Sequence, residues 1–213
     1  MKRLTINFQP EYKLWLACEK PSANALRPIL EYVFFKDGFA YASNAHILAR
    51  VPLELCTTFD EEQRAILNGF SIHSSLLKFI VGFDRVEVGK QIITQNGTDK
   101  VVATLTTQSG DNTITITLSD TLNITPPDFD AVLFDKAERK PIRDIGLRTK
   151  YLADLTAAMG AENIKMGFTT ASNKVYVEPT QDASEGFNVM GIIMPIMIEQ
   201  TLPGFGEPGG EGE

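Results

Sequence analysis

From Thr113 to Leu118 apolar and polar residues alternate without a break, with Ile114, Ile116 and Leu118 on one side and threonines on the other. A half-buried antiparallel strand has this two-residue period. Lys100 to Thr107 repeats it, and Ser109-Gly110-Asp111-Asn112 between the two runs reads as a hairpin turn. A second hairpin is expected over Phe34 to Tyr41, where Asp37-Gly38 supplies the positive φ angles of a tight turn. A third is expected near Thr169 to Val177, around Ser172-Asn173. Hairpins, not crossovers, therefore connect the strands.

Elsewhere the period lengthens to that of short helices. Pro10 suits the first position of a helix carrying Tyr12, Trp15, Leu16 and Cys18 to about Lys20, where Pro21 stops it. Asp60 with Gln63 forms a capping-box signature for a helix over Glu61 to Asn68, closed by Gly69. Ser74 opens a helix with Leu76, Leu77 and Ile80 on one side and Gly82 after it. Thr149 opens another with Leu152, Leu155 and Met159, closed by Gly160. Each is amphipathic, so each covers a sheet.

Two stretches share a layout. Phe70 to Lys78 continuing to Val88, and Ile145 to Leu152 continuing to Met166, both read strand, capped helix, Gly stop, strand. Arg3 to Phe8, the Pro10 helix and the strands from Tyr32 to Val51 make a looser third copy. Repetition of a strand-helix-strand-strand unit implies an α+β architecture with internal pseudosymmetry, its antiparallel sheets covered by short helices on one face.

Composition places this pattern in a folded chain. Of 213 residues 43% are hydrophobic and 22% charged, enough apolar surface for a core. The longest apolar run, Val189 to Ile198, is about half of what a membrane-spanning helix requires, and Met1-Lys2-Arg3 leads into strand-like residues instead of a signal-peptide core. No membrane association is expected, and a cytoplasmic location is. Cys18 and Cys56 lack the close-spaced partners of a zinc site and read as core residues of a reducing compartment.

The net charge of -7 is unevenly placed. Residues 178–213 hold seven acids and no Lys or Arg, which leaves 20 acids against 20 bases in residues 1–177. Within residues 136–150 six bases meet two acids, a local surplus of +4. An acidic total thus excludes a uniformly basic nucleic-acid coat while permitting a local basic surface. Residues 203–213, rich in Gly and Glu, are expected to be a disordered tail.

Catalytic signatures are absent from the sequence. It holds no His-Glu-x-x-His, nucleophile elbow, phosphate-binding Gly loop or dinucleotide fingerprint. His46 beside a strand and His73 before a helix read as structural hydrogen-bonders. No enzyme activity, cofactor or metal is expected.

Three segments together resemble the bacterial DNA polymerase III beta subunit, the sliding clamp. Asp37-Gly38-Phe39-Ala40-Tyr41-Ala42-Ser43-Asn44-Ala45-His46-Ile47-Leu48-Ala49 is similar to the strand and loop that the family writes Ala-Thr-Asp-Gly-His-Arg-Leu-Ala. Pro126-Pro127-Asp128-Phe129-Asp130-Ala131-Val132-Leu133 resembles Phe-Pro-Asp-Tyr-Arg-Arg-Val-Leu, and Ile192-Ile193-Met194-Pro195-Ile196-Met197-Ile198 resembles the closing Val-Met-Pro-Met-Arg-Leu. Asn44-Ala45-His46-Ile47 stands where the family has Asp-Gly-His-Arg, and Met197 replaces the closing arginine. The layout fits a shortened clamp: residues 1–133 as a clamp-like domain of two units, residues 134–202 as a partial domain of one unit, and the tail.

The resemblance implies a processivity factor that surrounds double-stranded DNA, as a homo-oligomer, through phosphate-directed charge without reading bases. Lys13, Lys20, Lys78, Arg148 and Lys150, on or beside the expected helices, are the candidate DNA-facing cations. It also implies a hydrophobic groove that captures short linear peptides of polymerases, clamp loaders or repair proteins. By position its walls are Ser43, Ala45, His46, Ile47 and Leu48, with Pro127 and Val132, and Ile192, Met194, Pro195 and Ile196. Small apolar side chains and an adaptable Met suit a groove that accepts several peptides. A clamp-fold peptide adaptor that never encircles DNA is the alternative.

Overall fold

Strands that are apolar on both faces need cover on both sides, and residues 33–35, 40–42, 47–49 and 190–193 lie buried where they receive it. A computed structural model of the chain describes residues 6–22, 26–95, 97–120, 127–132, 145–168, 173–180 and 189–196. After 3-10 turns at Leu14–Leu16 and Pro28–Glu31 come β1 (Tyr32–Lys36), β2 (Phe39–Ser43), β3 (Ile47–Pro52), α1 (Leu53–Cys56), α2 (Glu61–Leu67), β4 (Phe70–His73) and α3 (Ser74–Ile80). The chain continues through β5 (Val86–Gln95), β6 (Thr98–Ser109), β7 (Asn112–Thr117), β8 (Ser119–Asp120), α4 (Phe129–Val132) and α5 (Thr149–Ala158). It then passes through β9 (Ile164–Gly167), β10 (Val175–Pro179) and β11 (Met190–Ile193).

These strands form one eight-stranded sheet, in the order β8-β4-β1-β2-β3-β11-β10-β9, and a three-stranded sheet β5-β6-β7. Every pairing is antiparallel. The seam of the large sheet is β3 against β11, with Leu48 opposite Ile192 and Ala49 opposite Gly191. It joins a strand from residues 1–133 to one from residues 134–202, the two stretches expected from the sequence to be separate units. Their boundary at residues 133 and 134 and the expected tail at 203–213 lie outside the described residues.

Residue parity decides which side of the large sheet each side chain enters. Val33, Phe35, Ala42, Ala49, Val175 and Ile193 face a core shared with Leu14, Leu77 and Leu155 from the helical layer. Their neighbours Phe34, Tyr41, Leu48, Tyr176 and Ile192 face the other way, where Phe129 of α4 covers them. Small residues under the helices permit close approach. A Cβ on Gly191 would lie 2.8 Å from Met159 Sδ and 3.0 Å from Leu155 Cδ1, so α5 rests directly on β11.

Several local expectations form as written. Asp37 (φ 51°) and Gly38 (φ 79°) make the β1–β2 turn. Asp60 and Gln63 make a reciprocal capping box at α2, and Gly69 (φ 86°) follows it. In β7 and just beyond, Ile116 and Leu118 are buried while Thr115 and Thr117 are exposed.

Other expectations are corrected. The Pro10 to Lys20 segment is no helix beyond Leu14–Leu16, because its backbone is used elsewhere: Lys13 N–H donates to Ala157 O and Glu19 N–H to Leu30 O. His73, not Ser74, caps α3, its side chain accepting from Ser75 N–H, and Arg148 precedes α5 without a side-chain cap. The buried stripe of α3 is Ser74, Leu77 and Ile80, so Leu76, expected on that side, is 40% exposed. In the second repeat copy the first strand shrinks to one bridge, Gly146 with Ile196.

Candidate functional site

The loop between β2 and β3 is built by its own polar side chains. Asn44 Oδ1 accepts from the N–H groups of His46 (3.0 Å) and Ile47 (3.1 Å). Ser43 Oγ donates to Ile47 O (2.8 Å) and accepts from Ala45 N–H (3.2 Å). Ala45 is thereby held at φ 69°, a region that side-chain-bearing residues rarely occupy. Met194 N–H donates to His46 O at 2.8 Å and fixes the end of β11 to this loop.

Beside the loop lies an apolar groove of about 360 Å³. Leu48 and Ile192, paired across the seam, form part of its wall. Phe129 closes another part, stacked on Tyr41 with centroids 4.7 Å apart and planes 9° from parallel. Of the residues proposed from the sequence, Ser43, Ala45, His46, Ile47, Leu48, Pro127, Val132, Ile192 and Met194 meet here. Pro195 and Ile196 are not among the lining residues, since the chain turns toward α5 and Ile196 N–H donates to Gly146 O (2.9 Å).

Arg27, Ile29, Leu30 and Phe129 also line the groove and were not anticipated. Pro28 at the start of the Pro28–Glu31 turn was the available signal for three of them. That turn is pinned by Glu31, whose carboxylate meets His73 Nε2 at 3.0 Å and accepts from Ser22 N–H at 3.1 Å. Because His73 Nδ1 faces Ser75 N–H and Oγ, Nε2 carries the proton toward Glu31. The His73 hydrogen bond holds the Glu31 carboxyl below the usual glutamate range against the opposing effect of burial, with help from Ser22.

The helical face carries the candidate cations, all exposed. Lys20, Arg148 and Lys150 line a second cavity of about 440 Å³ with Trp15, Tyr151 and His46. Glu19 and Asp154 line it too, so its formal charge is only +1. Lys150 Nζ is 2.6 Å from Asp154 Oδ2, and the Arg148 guanidinium sits 5.1 Å from the Tyr151 ring centre. Lys13 and Lys78 lie outside this cavity. Lys78 shares α3 with Phe79, which is 48% exposed. His46 borders both cavities.

Neither thiol is placed for chemistry. Cys18 and Cys56 are buried and unpaired with each other, and burial raises both thiol pKa values, that of Cys56 to about 12. Among the described residues no group of three or more His, Cys, Asp or Glu is arranged to hold a metal ion, and no helix is long and apolar enough to cross a membrane.

No protein-family model matches the chain, and no curated protein matches it. Solved structures do. The Helicobacter pylori beta clamp in complex with carprofen superposes with a TM-score of 0.58 at 12% identity, over 92% of this chain and 66% of that one. The fold is clamp-like. The H. pylori clamp with diflunisal gives 0.55 at 12% identity, over 92% of this chain and 66% of that one. The DNA polymerase III subunit beta from Pseudomonas aeruginosa gives 0.51 at 13%, over 89% and 66%. This clamp-like chain therefore spans about two thirds of the length of those clamps, and at such identity the likeness is one of fold.

Proposed function

We propose that the protein is a sliding-clamp-like processivity factor, which holds duplex DNA without sequence preference and docks polymerase, loader or repair proteins through short peptides in the groove. Residues 1–133 act as a clamp-like domain and residues 134–202 as a partial one, in a cytoplasmic homo-oligomer without catalytic residues. The observation that carries this reading is the meeting, in one apolar groove across the β3–β11 seam, of residues from segments far apart in sequence. A cavity of that size, apolar with a few polar groups at its edge, suits the anchor side chains of an extended peptide.

The cationic side supports DNA less strongly. Glu19 and Asp154 offset Lys20, Arg148 and Lys150, and Phe79 presents apolar surface beside Lys78. These observations favour the second reading, an adaptor of the same fold that binds peptides and never encircles DNA. Retention on circular plasmid that survives raised salt and is lost on linearisation is the result expected of a ring, since charge contacts alone are released by salt. Equal retention on circular and linear DNA overturns it in favour of the adaptor. Peptide docking is tested by Met194→Asp, which is expected to abolish binding of a polymerase-derived peptide while leaving the circular dichroism spectrum unchanged. Unaltered affinity rejects the groove.

A further inference from the structure

Three side chains beside the Pro28–Glu31 turn stand in series. Ser75 Oγ is 2.7 Å from His73 Nδ1, and His73 Nε2 is 3.0 Å from Glu31 Oε2. Hydroxyl, imidazole and carboxylate in this order are the parts that make a serine nucleophilic, the imidazole taking the hydroxyl proton while the carboxylate orients the ring. Helix capping accounts for the Ser75 N–H on Nδ1 at 3.3 Å. It requires neither the hydroxyl on the same nitrogen nor the carboxylate behind the ring.

Each part is held in place and in its reactive form. Glu31 is 8% exposed, its second carboxylate oxygen accepts from Ser22 N–H at 3.1 Å, and the His73 hydrogen bond keeps it charged at neutral pH. Pairing of β1 with β4 sets His73 opposite Tyr32, whose ring meets the imidazole edge-on with centroids 5.2 Å apart. With Nε2 donating to Glu31, Nδ1 offers its lone pair to Ser75. Ser75 is exposed and can meet a reagent from solvent, while its neighbour Ser74 is buried.

We propose that Ser75 is an acyl-acceptor site, modified in one stoichiometric step by an activated acyl ester, with His73 as its base and Glu31 positioning the imidazole. Ser75 Oγ attacks the acyl carbonyl carbon, its proton passes to His73 Nδ1, and the bond to the leaving oxygen or sulfur breaks. The imidazolium then gives up that proton to the leaving group or to water. The products are an O-acyl Ser75, the free alcohol or thiol, and neutral His73. Nothing in this step draws on DNA or on a docked peptide, so it goes beyond the clamp reading and stands or falls apart from it.

The test treats the full-length protein with p-nitrophenyl acetate at neutral pH and locates acetyl groups by peptide mass spectrometry. Acetylation of Ser75 is expected, with Ser74 unmodified and with loss of the modification in Ser75→Ala. In His73→Asn the new side chain can still cap α3 but is no base, and Ser75 acetylation is expected to slow by at least about 100-fold. Glu31→Gln leaves His73 and Ser75 in the chain and is expected to lose most of the rate. Acetylation of the exposed Lys78, on the same helix, is the internal reference and should be equal in all of these proteins, which a merely structural disturbance of α3 would not ensure. Absence of acetyl from Ser75 in the unsubstituted protein overturns the proposal. So does an unchanged rate at Ser75 in either His73→Asn or Glu31→Gln, which would trace the reaction to exposure alone.

Discussion

His46 lies flat against Tyr151, the ring centroids 4.8 Å apart and the planes 14° from parallel. One imidazole thereby joins the loop that walls the groove to the helix that follows Arg148 and carries Lys150. Stacked aromatic pairs of this kind contribute about 0.5–1.5 kcal/mol beyond their burial. Tyr151→Ala is expected to weaken peptide binding by roughly two- to tenfold, although Tyr151 does not line the groove. In a double-mutant cycle with His46→Ala the losses should be less than additive. Strictly additive losses would show that the stack does not support the loop.

The contact between α5 and β11 leaves no room for a side chain at position 191. With Met159 Sδ and both Leu155 methyl carbons within 3.0 Å of a Cβ there, Gly191→Ala overpacks the core. Urea denaturation should report a loss of about 1–3 kcal/mol. An unchanged midpoint would mean that α5 shifts outward at little cost.

Glu31 gives the groove wall an acid limit. Its folded pKa lies below its unfolded value, so the folded state holds this proton less tightly. The corresponding stability is fully present above the ordinary glutamate range, near pH 4.3, and is lost as pH falls through the depressed value. The side chain is only 10% exposed, which limits screening by solvent. Glu31→Gln should flatten the decline in stability below about pH 4.3. It should also reduce peptide affinity at neutral pH, because the Pro28–Glu31 turn carries Ile29 and Leu30 into the groove. A variant with the parent's acid profile refutes this coupling.

The cysteines provide a readout of folding. With both thiols buried and their ionisation suppressed, iodoacetamide at pH 8 should leave Cys18 and Cys56 unmodified in the native protein and label both on unfolding. Native labelling of either, detected by mass spectrometry, would reveal local opening around it.

Much of this architecture was legible where the determinants are local. The Asp37-Gly38 turn, the Asp60–Gln63 capping box and the alternation into β7 depend on neighbours a few residues away, and each formed. The segments that meet at the groove were found through their resemblance to a family, since no periodicity in residues 43–48 or 127–132 announces a shared cavity. What stayed hidden depends on distant partners. Arg27, Ile29 and Leu30 reach the groove because Glu31 is held by His73, 42 residues away. Asn7, buried and donating to the carbonyls of Ile80 (2.9 Å) and Phe83 (2.6 Å), ties the first segment to the end of α3, and nothing around it in sequence marks that role. The same tertiary demands left Pro10 to Lys20 without its expected helix.

Consecutive residues of β11 serve opposite surfaces: Ile192 borders the groove and Ile193 the core beneath the helices. A substitution at Ile192 or Leu48 can therefore alter the groove while the packing under α5 is untouched, and the converse holds for Ile193. Away from the His46–Tyr151 stack the sheet works as an insulator, allowing the groove on one side and the helical surface on the other to diverge independently within one scaffold.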